Sequence, residues 1–240
     1  QILSSNLVSN GDFSQEGAEL VTSTSSTNNW IDARGNSTIS VVGNSVRASI
    51  TSGTVFGIST AITTVIGKTY SIKVGGLKNN TNGTFFIRVA DVVGLSPAFY
   101  EESSSGSTSV NTNGTFVATS TTHYVGLLAT SQTVGDYVET DNISVKEVGQ
   151  NWTLQTGWSI GDNKVLKSSG TASYLLQPSI LTIGATYKIK FTISDYVSGD
   201  FGLNTTFWGV NNLYSANGNY EVIVNTTNAN LYLYSDANFN

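Results

Sequence analysis

The sequence predicts an all-β protein made of two tandem antiparallel β-sandwiches with very little helix. Three observations carry this expectation: apolar and polar residues alternate with period two, glycine turns punctuate the alternating runs, and two of those runs recur in the same order. Successive side chains of a strand point to opposite faces, so period two marks a strand with one face on a core.

The alternation begins at Tyr70-Ser71-Ile72-Lys73-Val74, with three apolar side chains on one face and two polar ones on the other. It recurs at Tyr187-Lys188-Ile189-Lys190-Phe191-Thr192-Ile193, at Tyr220-Glu221-Val222-Ile223-Val224 and at Leu231-Tyr232-Leu233-Tyr234. Turns are expected at Asn10-Gly11-Asp12, Ile66-Gly67-Lys68, Asn82-Gly83, Asn113-Gly114, Ile183-Gly184-Ala185 and Asn217-Gly218. No run of about a dozen residues carries a 3.6 period. Many short strands joined by regular turns fit a sandwich of the jelly-roll type.

The repeat sets the domain count. Val65-Ile66-Gly67-Lys68-Thr69-Tyr70-Ser71-Ile72-Lys73-Val74 matches Thr182-Ile183-Gly184-Ala185-Thr186-Tyr187-Lys188-Ile189-Lys190-Phe191. Further on, Asn113-Gly114-Thr115-Phe116-Val117 matches Asn217-Gly218-Asn219-Tyr220-Glu221. Two anchor pairs in one order indicate duplicated units. The first copy is longer, with an inserted loop expected at about 96–109, and it closes with Asp141-Asn142-Ile143-Ser144-Val145-Lys146-Glu147-Val148. The boundary falls near Gly149, giving modules at 1–148 and 149–240. The second module lacks such a closing strand, which leaves an open edge to be filled from outside this sequence or by a neighbour. A chain opening on Gln1 rather than Met is expected to have lost a leader or to be part of something longer.

Composition removes several functions. The 240 residues hold 11 Lys+Arg, 16 Asp+Glu, one His, no Cys, no Met and two Pro, for a formal charge of −5. Disulfides, thiolate metal sites and cysteine nucleophiles are therefore absent, and one imidazole cannot build a multi-histidine centre. The acidic balance lacks the electrostatic footprint of a nucleic-acid binder. No apolar run approaches the roughly 18 residues of a membrane span. Polarity comes instead from 32 Ser, 31 Thr and 24 Asn, which suits a virion, extracellular or cell-surface protein. The eight Asn-x-Ser/Thr triplets are close to what that composition produces by chance.

Asn6-Leu7-Val8-Ser9-Asn10-Gly11-Asp12-Phe13-Ser14, then Trp30, then the closing Asp141–Glu147 run together resemble the galactose-binding-like jelly-roll modules, a fold that includes the carbohydrate-binding modules of xylanases. Thr156-Gly157-Trp158-Ser159-Ile160, the Ile183–Tyr187 strand start and Tyr232-Leu233-Tyr234-Ser235-Asp236 are similar to modules repeated in bacteriophage tail, fibre and other virion proteins. The resemblance implies a structural calcium at Asn10, Gly11, Asp12 and Asp141, since hard cations take carbonyl and carboxylate oxygens. Ser14 stands where those relatives carry Glu, which removes one ligand. No other cofactor is implied.

Sugar binding needs aromatic platforms flanked by amides or carboxylates. The candidates are Trp208 and Tyr214, with Phe99-Tyr100 as a contact patch; Trp30 and Trp158 share the early-strand position and read as core, and Trp152 could pack between modules. Catalysis is not expected. Glu101 and Glu102 are neighbours in a Ser-rich stretch, His123 has no nucleophile motif beside it, and phosphate-loop, zinc and Gly-x-Ser-x-Gly patterns are missing. The expected function is non-catalytic: a virion component (fibre, tail or capsid decoration) whose partners are other assembly subunits in a homo-oligomer, or a host glycan. A carbohydrate-binding module of a secreted polysaccharide-degrading enzyme and a bacterial adhesin or filament subunit are the alternatives.

Overall fold

A computed structural model describes residues 6–81, 83–105, 110–131, 133–161 and 163–240. It is an all-β protein in two compact units, Gly17–Val148 and residues 6–16 with Gly149–Asn240. Every strand pairing between described residues is antiparallel.

In the first unit one sheet has the order β1 (Trp30–Asp32), β4 (Val55–Thr63), β9 (Thr122–Thr130), β6 (Thr84–Ala90), β7 (Tyr100–Ser105). The other runs β2 (Ser37–Val42), β3 (Ser45–Ile50), β10 (Tyr137–Thr140), β5 (Thr69–Asn79), β11 (Asn142–Val148), and β8 (Val110–Val117) also bonds to β5. Phe56, Ile58, Phe85, Ile87 and Leu127 of the first sheet share one buried cluster with Val46, Ile50, Ile72, Val74 and Val145 of the second. Burying each such side chain contributes about 1.5–3 kcal/mol.

β5 shows how period two is kept through an irregularity. Tyr70, Ile72 and Val74 are buried, and so is odd-numbered Leu77. A bulge between Val74 and Leu77 adds the residue that restores the face. Gly76 occupies it at φ 61°; a Cβ there would stand 1.8 Å from Asp141 Oδ1.

The second unit repeats this plan. Its five-stranded sheet has the order β12 (Thr153–Leu154), β15 (Ser173–Gln177), β20 (Leu231–Ser235), β17 (Phe201–Leu203), β18 (Asn212–Tyr214). β13 (Trp158–Gly161) pairs with β14 (Lys164–Lys167), and β16 (Thr186–Ile193) with β19 (Gly218–Asn225). A four-residue turn of helix, α1 (Thr205–Trp208), lies between β17 and β18. Taken in chain order, β12 to β20 reproduce the pairings of β1 to β9, whereas β10 and β11 have no counterpart among the described residues.

Four sequence expectations are revised. Residues 6–16 belong with the second unit rather than with a 1–148 module. There Val8 and Phe13 join the core, Phe13 lies 5.3 Å from the Trp152 ring, and Ser9 exchanges two hydrogen bonds with the Gln177 side chain. The physical reason is a shared requirement. A buried indole N–H needs an acceptor; Trp30, opening β1, donates to Ser23 O at 2.8 Å, and Trp152, just before β12, donates to Asn10 O at 3.0 Å. Trp152, rather than Trp158 in β13, is thus the counterpart of Trp30, and it packs in the second unit's core.

The expected loop at about 96–109 is in part a strand. Tyr100–Ser105 pairs along β6, and the run is polar because it forms a sheet edge; residues 106–109 lie outside the described residues. Asn113-Gly114 is not a turn but lies within β8, where glycine leaves room for the Tyr100 ring; a Cβ would stand 2.3 Å from its hydroxyl oxygen. Asn82 lies outside the described residues.

Trp152→Phe keeps the ring against Phe13 but removes the bond to Asn10 O, worth about 1 kcal/mol. Amide hydrogen exchange is expected to speed up across residues 6–16 and to stay unchanged in β1–β11.

Candidate functional site

In each unit the outer face of the five-stranded sheet is crossed by the segment that joins its fourth and fifth strands in space. In the first unit this segment closes the face. Leu95 and Leu128 are both 0% exposed and pack with Ala33 and Ala90 against Phe86 and Tyr124. Ser59 Oγ bonds to Val93 O and Arg88 reaches Leu95 O, pinning the cover.

The same face of the second unit is aromatic and half-open. Alternation along β15 and β20 turns Leu175, Leu231 and Leu233 into the core and Tyr174, Tyr232 and Tyr234 outward, all three half-buried. Tyr174 stands directly opposite Tyr234 in the strand register. Phe207 of α1 stacks on Tyr232 at 3.8 Å between centroids with planes 8° apart. Tyr174 meets Phe207 and Tyr232 edge-on at 5.0 and 5.8 Å. These edge and stacked geometries complement the ring quadrupoles.

Amides rim the cluster. Asn204 precedes α1 but makes no side-chain cap; its Nδ2 donates to Tyr174 Oη at 3.1 Å, and its Oδ1 is buried without a partner. Asn230 Nδ2 donates to Tyr232 Oη at 3.1 Å. Burial, then Asp236, Tyr174 and Asp200, holds the Tyr234 phenol above its ordinary pKa. At neutral pH it is a neutral donor and acceptor. The sequence showed these residues as the outward-facing half of alternating strands; that two strands, β15 and β20, bring the tyrosines together with Phe207 of α1 was not visible in it.

The candidates named from the sequence are dispersed. Trp208 is 4% exposed, sits in the core, and donates its indole N–H to Tyr232 O at 2.7 Å, so it offers no open platform. Tyr214 is half-buried against Tyr220 and Phe191, at 4.1 and 5.6 Å. Phe99 is 41% exposed and covers Phe116 and His123, while Tyr100 packs against the first unit's core. His123 is fully buried; its Nε2 accepts from Thr119 N, which places its proton on Nδ1, 2.7 Å from Asp91 Oδ1.

The calcium ligands that the resemblance implies have these local settings. Asn10, Gly11 and Asp12 lie in one unit and Asp141 in the other. Asn10 Oδ1 accepts from Gln15 N, its carbonyl accepts from Trp152 and Phe13, and Asp141 fits over the β5 bulge. The Asp12 carboxylate accepts from Ser14, which holds it below the usual carboxylate range. Among the described residues no three His, Asp or Glu side chains form a metal-binding group. The acids instead serve ion pairs, Glu139 with Arg47, Glu101 with Arg88, and Glu221 with Lys188 and Lys190.

No protein-family model and no curated protein matches the sequence. Structural neighbours include carbohydrate-binding modules, an α-L-arabinofuranosidase and a phage tailspike domain. A CBM4 module covers 58% of this chain and 98% of its own at 15% identity and a TM-score of 0.40. The CBM22-1–CBM22-2 tandem domain of Paenibacillus barcinonensis Xyn10C covers 93% of this chain and 91% of its own at 15% identity and a TM-score of 0.39. The enzymatically active domain of bacteriophage CBA120 tailspike protein 4 matches 59% of this chain but only 21% of its own, at 18% identity and a TM-score of 0.37. What the chain can bind is set by its own side chains.

Two outcomes test this arrangement. Trp208→Ala is expected to destabilise the second unit by about 3–5 kcal/mol in denaturant unfolding, as a buried indole and not a surface platform. Because the folded Tyr234 phenol is held above 10.0, its stabilising contribution is full below pH 10 and is lost as pH rises through the folded value. Thermal melts of the Tyr234→Phe variant should therefore decline less steeply above pH 10 than those of the parent chain.

Proposed function

We propose that the chain is a non-catalytic contact protein whose second unit binds a glycan on the face formed by Tyr174, Phe207, Tyr232 and Tyr234. The observation that carries this reading is the contrast between the two units. One outer face is sealed by Leu95, and its counterpart keeps three tyrosines half-exposed beside an unpartnered amide oxygen. Sugar rings present C–H faces that lie on aromatic rings, while their hydroxyls need partners such as Asn204 Oδ1, Asn230 and the phenols. A buried acceptor without a partner costs about 1–3 kcal/mol, and a ligand hydroxyl would repay it.

Display on a virion or an extracellular surface fits the composition. Hydroxyl and amide side chains keep the surface hydrated with little charge, and there is no Cys or Met to oxidise. Within that setting the partners are assembly subunits of a virion, or the remainder of a secreted polysaccharide-degrading enzyme. Capsid and tail genes beside this one would favour the virion.

A glycan panel with the whole chain is expected to give binding that Tyr174→Ala and Tyr232→Ala each weaken about tenfold, equivalent to about 1.4 kcal/mol. Phe99→Ala should leave it unchanged. Binding that survives both tyrosine substitutions would refute the assignment.

A further inference from the structure

We propose that the aromatic face of the second unit takes a saccharide bearing an ammonium group, an amino sugar with its amine free, which Asp200 and Asp236 hold against the Tyr234 ring. The inference rests on the glycan-binding reading of that face and names the class of sugar. Asp236 is the next outward position of the chain after Tyr232 and Tyr234 of β20, and Asp200 keeps the phase of Gly202 on β17. Asp236 N donates to Asp200 O at 3.0 Å, which sets the two acids side by side across the strand pair. Both are half-buried. Gly202 stands directly opposite Tyr234 and adds no side chain to this end of the face.

Electrostatics single out this pair. Like charges opposite one another on adjacent strands are destabilising, and other strand acids are matched: Glu139 with Arg47, Glu101 with Arg88, Glu221 with Lys188 and Lys190. Arg88 lies on the first unit's outer face, the counterpart of the face that holds Asp200 and Asp236. Among the described residues neither Asp200 nor Asp236 forms an ion pair within 4.0 Å. The N–H groups of Asn238 and Phe239 donate to Asp236 Oδ1 at 3.0 and 2.8 Å and fix its carboxylate. Burial lowers the pKa of Lys167 in β14 and the charge of Asp236 works against that, but the Lys167 ammonium donates to Ser168 O. The field of both acids reaches the aromatic face: after burial, Asp236, Tyr174 and Asp200 hold the Tyr234 phenol above its ordinary pKa.

An ammonium group answers each of these features. It offsets the two adjacent negative charges, donates charge-assisted hydrogen bonds to carboxylate oxygens, and is attracted to the face of a tyrosine ring within about 6 Å. The sugar ring that carries it supplies C–H surface for the tyrosines and hydroxyls for Asn204 Oδ1 and Asn230. A lysine side chain brings the same cation without those hydroxyls. A uronate or sulfated sugar would add a third negative charge beside Asp200 and Asp236, which discriminates against it.

The probe is a short hexosamine oligosaccharide with free amines, titrated calorimetrically into the full chain beside its fully N-acetylated form, at about pH 6, where amines are protonated. The free-amine form is expected to bind about three- to tenfold more tightly and to lose that advantage in about 1 M salt. The advantage should also vanish in the Asp200→Asn, Asp236→Asn double variant, which keeps the Oδ1 acceptor for Asn238 and Phe239 and should melt no lower than the parent chain because the opposed charges are gone. Equal binding of the two forms, or an advantage that survives the double substitution, would overturn this proposal alone, provided Tyr174→Ala still weakens binding. So would binding of neutral glycans without the free-amine form, or tighter binding of tetralysine than of the amino saccharide. If no saccharide binds, or Tyr174→Ala changes nothing, the glycan face itself is refuted and this inference with it.

Discussion

A β-sandwich keeps its interior dry only if every inward-facing strand is flanked, and in this protein that constraint centres on one strand. β5 carries Tyr70, Ile72, Val74 and Leu77 into the first core, and it is enclosed by β8, β10 and β11. Glu139 of β10 salt-bridges to Arg47, whose guanidinium also lies 3.7 Å over the Tyr137 ring. The final dozen residues of the first unit thus bond two otherwise separate strand groups into one sheet. The bulge at Gly76 and the Asp141 carboxylate above it let the chain pass from β10 to β11 without losing either pairing.

Among the described residues the second unit runs the same nine-strand circuit, with no counterpart of β10 or β11. Its second face consists of two separate strand pairs, β13 with β14 and β16 with β19, and aromatic rings take over much of the filling. Phe191, Phe201, Tyr214, Tyr220 and Phe239 contact one another in edge-on, tilted and stacked pairs. Large rings fill an irregular space with few side chains. Residues 6–16 contribute too, with Asn10 as the acceptor for Trp152 and Phe13 against its ring. A core is assembled from whatever apolar surface reaches it, regardless of where that surface lies along the chain.

The two units also separate scaffold from site. Equivalent strands present equivalent outer faces, and a short connection determines whether each face is accessible. In one unit it places Leu95 over Leu128; in the other it forms a single helical turn, ended by Gly209 at φ 66°, that stacks Phe207 on one tyrosine and leaves the others half-open. Loops on a fixed framework commonly carry such differences because they change without disturbing the core.

Much of the fold was legible in the sequence because strand periodicity is local. The runs at Tyr70–Val74, Tyr187–Ile193, Tyr220–Val224 and Leu231–Tyr234 all fall within strands, since each residue's face follows from its neighbour's. The polar edge strand Tyr100–Ser105 was missed because an edge with two wet faces has no alternation to read. The site was less legible. Trp208 stood out as a large aromatic among amides, yet the sequence does not reveal which aromatic is covered. By itself the sequence determined the alternating strands, turns such as Ile66-Gly67-Lys68 and Ile183-Gly184-Ala185, the chemistry excluded by composition, and the duplicated plan, all legible from short runs of neighbouring residues. Only the tertiary structure decided that Asn10 serves Trp152 and that Leu95 seals one face while Phe207 leaves its twin open, because each depends on atoms brought together from distant parts of the chain.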